Sequence, residues 1–461
     1  MRSVLRYARL AAALLVLCVA APPPAAGQNA SAETSAALRP KPLHIVTRTL
    51  PDGLRVVLVE DHSTPILNLQ VWYHVGSKDE RPGRTGFAHL FEHLMFKGSA
   101  HVGPEEHSRI IEAAGGVDNA YTNDDTTVFW ETVPSNYLER VLWLEADRMA
   151  SLTVDQANFT SERQVVKEER RMRVENPPYG RLFEDLYAAA FTVHPYHHTT
   201  IGSMEDLDRA ELSDVQEFYR TYYRPDNATL VVVGDVAPEQ CFASVENYFG
   251  GIPKPAQPVP RQQLTEPPQT EERQLTKSYG ANSPLPAVIE GYKMPAAFTP
   301  DYYPLNLASS ILSNGESSRL YRRLVYEMQI AAQAAGVGNF TEDPNLFLAF
   351  AVMNQGKTPE DGKAAIESVL DQMQTQPVSP HDLEKAKNQV LAASIFTREN
   401  DQQTADSLGF AAVIGKDPEL MNRDVDLYLR VSADDIERVA REYFVPARRT
   451  VLFITASAPA H

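Results

Sequence analysis

The stretch Gly86-Phe87-Ala88-His89-Leu90-Phe91-Glu92-His93-Leu94-Met95-Phe96 is the point from which the rest of the chain can be read. Phe87, Leu90, Phe91, Leu94 and Met95 recur at helical spacing, so a helix over Gly86 to Phe96 would bury one apolar face. His89 and His93 are four apart and project from one side about one turn from each other, a pair that can chelate a single ion. Glu92 follows His89 by three and lies near the same face, where a glutamate can take a proton from a water on that ion. The order inverts the commoner His-Glu-x-x-His arrangement.

Two histidines do not make a catalytic site. Zinc in hydrolases takes three protein ligands and leaves the fourth position to water. The best source of a third ligand is the helix predicted from about Asn158 to Val174, which carries Glu162, Glu168 and Glu169 and is stopped by Asn176-Pro177-Pro178. Glu162 and Glu169 are seven apart and share a face over almost two turns, whereas Glu168 lies well off it. If one of the two adjacent glutamates shares a site with Glu162, it should be Glu169. Taken alone, so many Glu, Lys and Arg residues read as a solvated helix face.

Outward from these helices, Val46 to Asp61 reads as a hairpin around Pro51-Asp52-Gly53, and Ile66 to Val75 alternates as a strand. Asn119 to Thr122 and Thr126 to Thr132 read as strands around Asn123-Asp124-Asp125, and Val231 to Val233 as a buried strand ending at Gly234-Asp235. Prolines at 253, 255, 258, 260, 267 and 268 mark a stiff extended linker. The expected division is a motif-bearing domain over 43–250, a linker over 251–274 and a second domain over 275–461. The second half echoes the first. Leu212-Ser213-Asp214 leads through a helix to Tyr223-Arg224-Pro225 and the strand Thr229 to Val233; Val431-Ser432-Ala433 leads through a helix to Phe444-Val445-Pro446 and the strand Thr450 to Ile454. A duplicated repeat of roughly 200 residues accounts for both the length and the linker.

At 461 residues the chain is too long for one ordinary core, and 43% hydrophobic with 22% charged residues is the composition of a globular enzyme. Arg2, Arg6 and Arg9 precede the apolar run Leu10 to Ala21, Pro22 to Pro24 break it, and Ala25 and Gly27 supply small residues. Residues 1–27 therefore read as a signal peptide cut after Gly27, with 28–42 a disordered leader and the protein exported to the periplasm. The run is short for a membrane anchor, and Leu17 is too large for lipidation at Cys18. A net charge of −17, more acidic still once the three arginines leave, argues against nucleic acid as a partner, and no later apolar run points to a membrane. Cys241 is left without a cysteine partner, in an amphipathic helix where a core thiol is the simplest reading.

The motif with its downstream acidic helix resembles the pitrilysin, insulysin and mitochondrial processing peptidase family, the inverzincin metallopeptidases, in their short two-domain bacterial form. The match runs from Gly86 through Lys97-Gly98-Ser99 and continues at Gly115-Gly116, Asn119-Ala120-Tyr121-Thr122, His194-Pro195-Tyr196, Tyr223-Arg224-Pro225 and Gly234-Asp235. The resemblance implies zinc held by His89, His93 and Glu169, with Glu92 as general base and Glu162 as a second glutamate needed for activity, orienting a ligand imidazole. It implies a peptide substrate added as a strand along Asn119 and Ala120. One departure stands out. Members that work alone carry in the second half an Arg and, seven residues on, a Tyr that contact substrate; the aligned positions are Val325 and Ala332, while Arg319 and Tyr326 have the spacing in a different register. The second half also has no metal motif. The expectation is an α+β protein of two tandem homologous domains, each a mainly antiparallel sheet with packed helices. It would act as a zinc endopeptidase within a homodimeric chamber, or a heterodimeric one with a companion subunit that brings the Arg-Tyr pair. The alternative is a non-catalytic assembly or peptide-binding subunit of the same fold.

Overall fold

The computed structural model describes residues 39–262 and 264–457; the predicted signal peptide and most of the predicted leader lie outside the described residues. The first hairpin forms as its turn residues dictate. β1 (Ile45–Thr49) pairs antiparallel with β2 (Arg55–Glu60), and Gly53 closes the turn at φ 99°, where a side chain would be strained. With β3 (Ile66–Tyr73), β4 (Val117–Thr122), β5 (Thr127–Pro134) and β6 (Ala228–Gly234) these make a six-stranded sheet in the order β1-β2-β6-β3-β5-β4. β6 is buried along its whole length, and β4 lies at an edge.

A second sheet holds β7 (Arg273–Lys277), β8 (Ala287–Met294), β9 (Ala331–Gly338), β10 (Asn345–Met353) and β11 (Arg449–Ile454) in the order β7-β11-β8-β10-β9. Each sheet is antiparallel except for one parallel pair, β2 with β6 and β7 with β11. The expected repeat is therefore visible strand by strand: β2, β6, β3, β5 and β4 correspond in order to β7, β11, β8, β10 and β9. The α+β duplicated architecture read from the sequence is borne out.

The first half carries α1 (Phe87–Leu94), α2 (Glu106–Ala113), α3 (Leu138–Ser151), α4 (Gln156–Arg170), α5 (Leu182–Ala190), α6 (Met204–Arg209), α7 (Leu212–Tyr222) and α8 (Pro238–Phe249). The second carries α9 (Tyr302–Ser313), α10 (Pro359–Thr375), α11 (Pro380–Arg398), α12 (Asp401–Val413), α13 (Leu420–Arg430) and α14 (Ala433–Tyr443). On one face each sheet packs against helices of its own half. On the other face the halves exchange helices. Ala405, Leu408 and Ala412 of α12 pack on Val57, Trp72, Val231 and Val233 of the first sheet, while Leu186, Tyr187 and Ala190 of α5 pack on Ile289, Leu346, Leu348 and Leu452 of the second.

Among the described residues, the predicted linker has neither helix nor strand until β7 begins at Arg273, inside its expected end. It is strapped to the first half. Gln262 Nε2 donates to the Glu80 carbonyl at 2.8 Å, and the Glu266 carboxylate accepts the backbone N–H groups of Thr192, Val193 and His194 at 2.8 to 3.0 Å. No helix among the described residues is long and apolar enough to cross a membrane.

Candidate metal centre

α1 is anchored at its start by a buried acid. Glu80 Oε2 accepts the Gly86 N–H at 2.9 Å and Oε1 accepts the Ala88 N–H at 2.8 Å, satisfying amides that the first turn leaves without helical partners. Phe87, Leu90, Phe91 and Leu94 are buried, with Phe91 stacked on Phe218 at 5.3 Å and tilted against Tyr223 at 5.0 Å. That packing fixes the helix roll and turns His89 and His93 toward α4, their rings 4.9 Å apart.

The two imidazoles converge on one carboxylate oxygen: Glu169 Oε2 lies 3.1 Å from His89 Nε2 and 3.1 Å from His93 Nε2. Ligands held tetrahedrally at about 2.05 Å from zinc would be about 3.3 Å from one another, so this two-nitrogen, one-oxygen set fits that ion in spacing as well as in donor type. Glu168 points elsewhere, 65% exposed and paired with Arg171. Glu92 Oε2 is 3.3 Å from His89 Nδ1 and accepts the Thr122 hydroxyl at 2.9 Å. Glu162 is buried, with Oε2 3.6 Å from His93 Nδ1 and Oε1 3.1 Å from Lys97 Nζ. Arg173 forms an ion pair with Glu169 Oε1.

Burial alone would drive both imidazoles toward the neutral form. At His89 the hydrogen bonds to Glu169 and Glu92 outweigh it and lift the pKa to about 9, and at His93 the carboxylates of Glu162 and Glu169 tip the balance the same way. Burial also works against the charge of Glu92, Glu162 and Glu169. The facing imidazoles, with Lys97 beside Glu162 and Arg173 beside Glu169, still hold all three below the ordinary glutamate range.

Thr122 ends the edge strand β4, two residues from Ala120 and on the same face, so that edge runs beside Glu92. The Ala120 N–H donates to Asn119 Oδ1 at 2.9 Å. In the second half, Val325 is half-buried on the wide turn Tyr321–Glu327 and Ala332 is exposed on β9. Arg319 is 3.5 Å from Asp382, and Tyr326 is 75% exposed.

Arg173 and Glu80 were not picked out from the sequence, and Lys97 and Thr122 entered only as part of the matching stretches, with no role assigned. A basic residue four beyond Glu169 is a recognisable helical pairing signal. The others depend on contacts between elements. A second buried group, His107 with Glu131 and Glu145, already has its counter-charge: Arg148 Nε donates to Glu145 Oε2 at 2.9 Å and its NH2 to Glu131 Oε1 at 3.2 Å. Burial and that guanidinium push the His107 imidazole down to about 4.

Residues 55–203 match the family described as insulinase, peptidase family M16, and residues 209–390 match the peptidase M16 inactive domain. The chain is 33% identical over 409 residues to the zinc protease PqqE of Helicobacter pylori, a match spanning 88% of this chain and 91% of that protein. The chain belongs to the M16 insulinase family. It is also 24% identical over 412 residues to the mitochondrial-processing peptidase subunit beta of Lentinula edodes, over 86% of each. Among solved structures, a protease from Helicobacter pylori superposes with a TM-score of 0.87 at 31% identity, covering 90% of this M16 chain and 100% of the other. An M16 inactive domain from Pseudomonas fluorescens, 16% identical, shares the fold with a TM-score of 0.80 over 91% of this chain and 100% of its own. The M16 fold thus extends to a structure described as an inactive domain, and the chemistry has to be argued from the side chains.

Proposed function

We propose that this chain is a zinc-dependent endopeptidase acting on peptides or unstructured polypeptides. The observation that carries this reading is the convergence of His89 Nε2 and His93 Nε2 on Glu169 Oε2 with Glu92 alongside. Zinc would be held by His89, His93 and Glu169, and would supply polarisation of the scissile carbonyl and acidification of a water. Glu92 would be the base that accepts a proton from the attacking water and returns it to the leaving amine. Thr122 keeps the Glu92 carboxylate turned to this task. Glu162, itself held by Lys97, would orient His93 through Nδ1 and so leave Nε2 turned toward Glu169. Asn119 and Ala120 offer the open edge of β4 to an extended substrate, whose backbone would replace the Asn119 side chain on the Ala120 N–H.

The same proposal extends to organisation. Residues 1–27 direct export to the periplasm, 43–250 form the catalytic domain, 251–274 the linker, and 275–461 a second domain that helps to close a chamber with a partner chain. Val325 and Ala332 offer no polar head where lone-acting relatives carry Arg and Tyr, which supports a partner that supplies them. The test is metal analysis of the mature protein together with cleavage of an unstructured peptide before and after chelation. One zinc per chain and activity that is lost on chelation and regained with zinc are expected. A chain that binds peptide but takes up no zinc would sink the proposal in favour of a non-catalytic subunit.

A further inference from the structure

Each glutamate on the inward face of α4 turns one oxygen toward an imidazole and gives the other to a cation. Glu162 divides itself between His93 and Lys97, and Glu169 between the two histidine Nε2 atoms and Arg173. For Glu169 the division has a chemical meaning, because its inward oxygen completes the donor set. A carboxylate can grip an ion through one oxygen or through both, and the second oxygen, added to three ligands and a water, would fill the fifth position into which a substrate carbonyl has to enter.

The backbone is built to keep Arg173 in place. Directly after α4 the helix widens into the π-type turn Arg171–Glu175, closed by the Asn176 N–H on the Arg171 carbonyl at 2.8 Å. Asn282 of the second half donates to the Glu175 carbonyl at 2.7 Å, so the turn is clamped from outside its own domain. Arg173 therefore sits one turn beyond Glu169 and against its outer oxygen.

We propose that Arg173 is a positioning residue that keeps Glu169 a one-oxygen ligand and so preserves the open position of the centre. This inference rests on the zinc reading given above. Removing the guanidinium frees Oε1 to turn inward and takes a positive charge away from the ion. Both changes tighten the metal, and the first also fills the fifth position, so affinity and activity move in opposite directions.

The experiment loads wild type, R173M and R171M with Co2+ in place of zinc. Arg171 pairs with the exposed Glu168 and serves as the control. Wild type and R171M should give the intense visible absorption of four-coordinate cobalt, and R173M the weak bands of five-coordinate cobalt. By chelator competition R173M should hold zinc at least as firmly as wild type, yet its kcat should fall by about 10–100-fold with KM unmoved. Retention of the intense spectrum in R173M, or loss of zinc affinity in step with activity, overturns the proposal, since a merely structural residue would weaken both. Should R173M fail to fold, R173K carries the test: it keeps the charge but not the fork, a share of five-coordinate cobalt is expected, and a spectrum identical to wild type overturns the idea. Wild type that takes up neither Co2+ nor zinc is a different outcome, and it removes the zinc reading itself.

Discussion

Glu92 is held by two neighbours of different kinds, the His89 imidazole at 3.3 Å and the Thr122 hydroxyl at 2.9 Å, and both favour its ionised form. Glu92→Gln keeps the shape and the Thr122 bond but removes the base. It should retain zinc and lose about 10²–10⁴-fold in peptide turnover; metal content and turnover measured on the same preparation decide it, and a variant that still turns over takes Glu92 out of the mechanism. Proton linkage gives a second expectation. The metal-free His89 has its pKa lifted to about 9, and only the neutral imidazole binds zinc, so binding at neutral pH must expel a proton. Affinity should therefore weaken as pH falls below about 9, by about tenfold per unit for each proton expelled, and level off above it. Chelator competition from pH 6 to 10 measures this, and a flat profile would contradict the hydrogen-bonding pattern described for His89. The proposed donors were legible because helical phase is readable in one dimension: a spacing of four for the histidines and of seven for the glutamates fixes which side chains share a face. Arg173 and Lys97 act on the outer oxygens of those glutamates, and which oxygen faces outward depends on how α1 and α4 are docked.

At the scale of elements, α12 shows what close packing between halves demands. A Cβ on Gly409 would lie 2.0 Å from Trp72 Cε2, so the helix can settle on the first sheet only because that position has no side chain. Trp72 has no easy retreat: its Nε1 donates to Gln70 Oε1 at 2.8 Å, and Gln70 Nε2 donates to Asn68 Oδ1 at 3.0 Å and to the Gln402 carbonyl at 3.2 Å. Gly409→Val should lower folding stability by about 1–3 kcal/mol or more, as overpacked cores do. Denaturant unfolding checks this, and an unchanged midpoint would mean that α12 docks less closely than described. Strands and hairpins were readable from alternation and from turn residues such as Asp52 and Gly53. The docking of α12 was not. Its buried residues include Thr404, Ala405, Leu408, Gly409, Ala411 and Ala412, a set of mostly small side chains with no single apolar stripe to say what it packs on. The linker was legible as proline-rich and extended, but its attachment through Glu266 depends on three backbone amides that no side-chain pattern announces.

Across the whole molecule the two halves meet at a charged knot. Lys78 lies 2.9 Å from Asp125, 2.7 Å from Glu342 and 3.0 Å from Asp343, while His74 reaches Glu342 at 2.6 Å. Asp125 sits in the turn between β4 and β5, so this contact holds the end of the proposed substrate edge that carries Thr122. What the chain does not supply is a second wall with polar groups at Val325 and Ala332. The isolated mature protein should therefore be zinc-loaded but a poor peptidase, and a homologous chain with the Arg-Tyr pair and no metal motif should stimulate it, since groups that orient the peptide and stabilise developing charge add to what the centre alone provides. Full activity from the isolated chain, unchanged by any partner, would sink this expectation. The exchanged helices also set a clock on synthesis. Arg55 finds the Ala412 carbonyl across 357 residues of chain, and Gln70 finds that of Gln402 across 332. From Gly234, which completes the first sheet, to the end of α12 is about 180 residues, so at roughly 5–20 residues per second the sheet would wait about 9–36 s for the helix that covers its second face. During that interval Val57, Trp72, Val231 and Val233 form a bare apolar surface, and the nascent chain has no finished first domain to fold into. Completion of the first half is therefore tied to synthesis of α12, and the sheet's second face is covered only once that helix has been made.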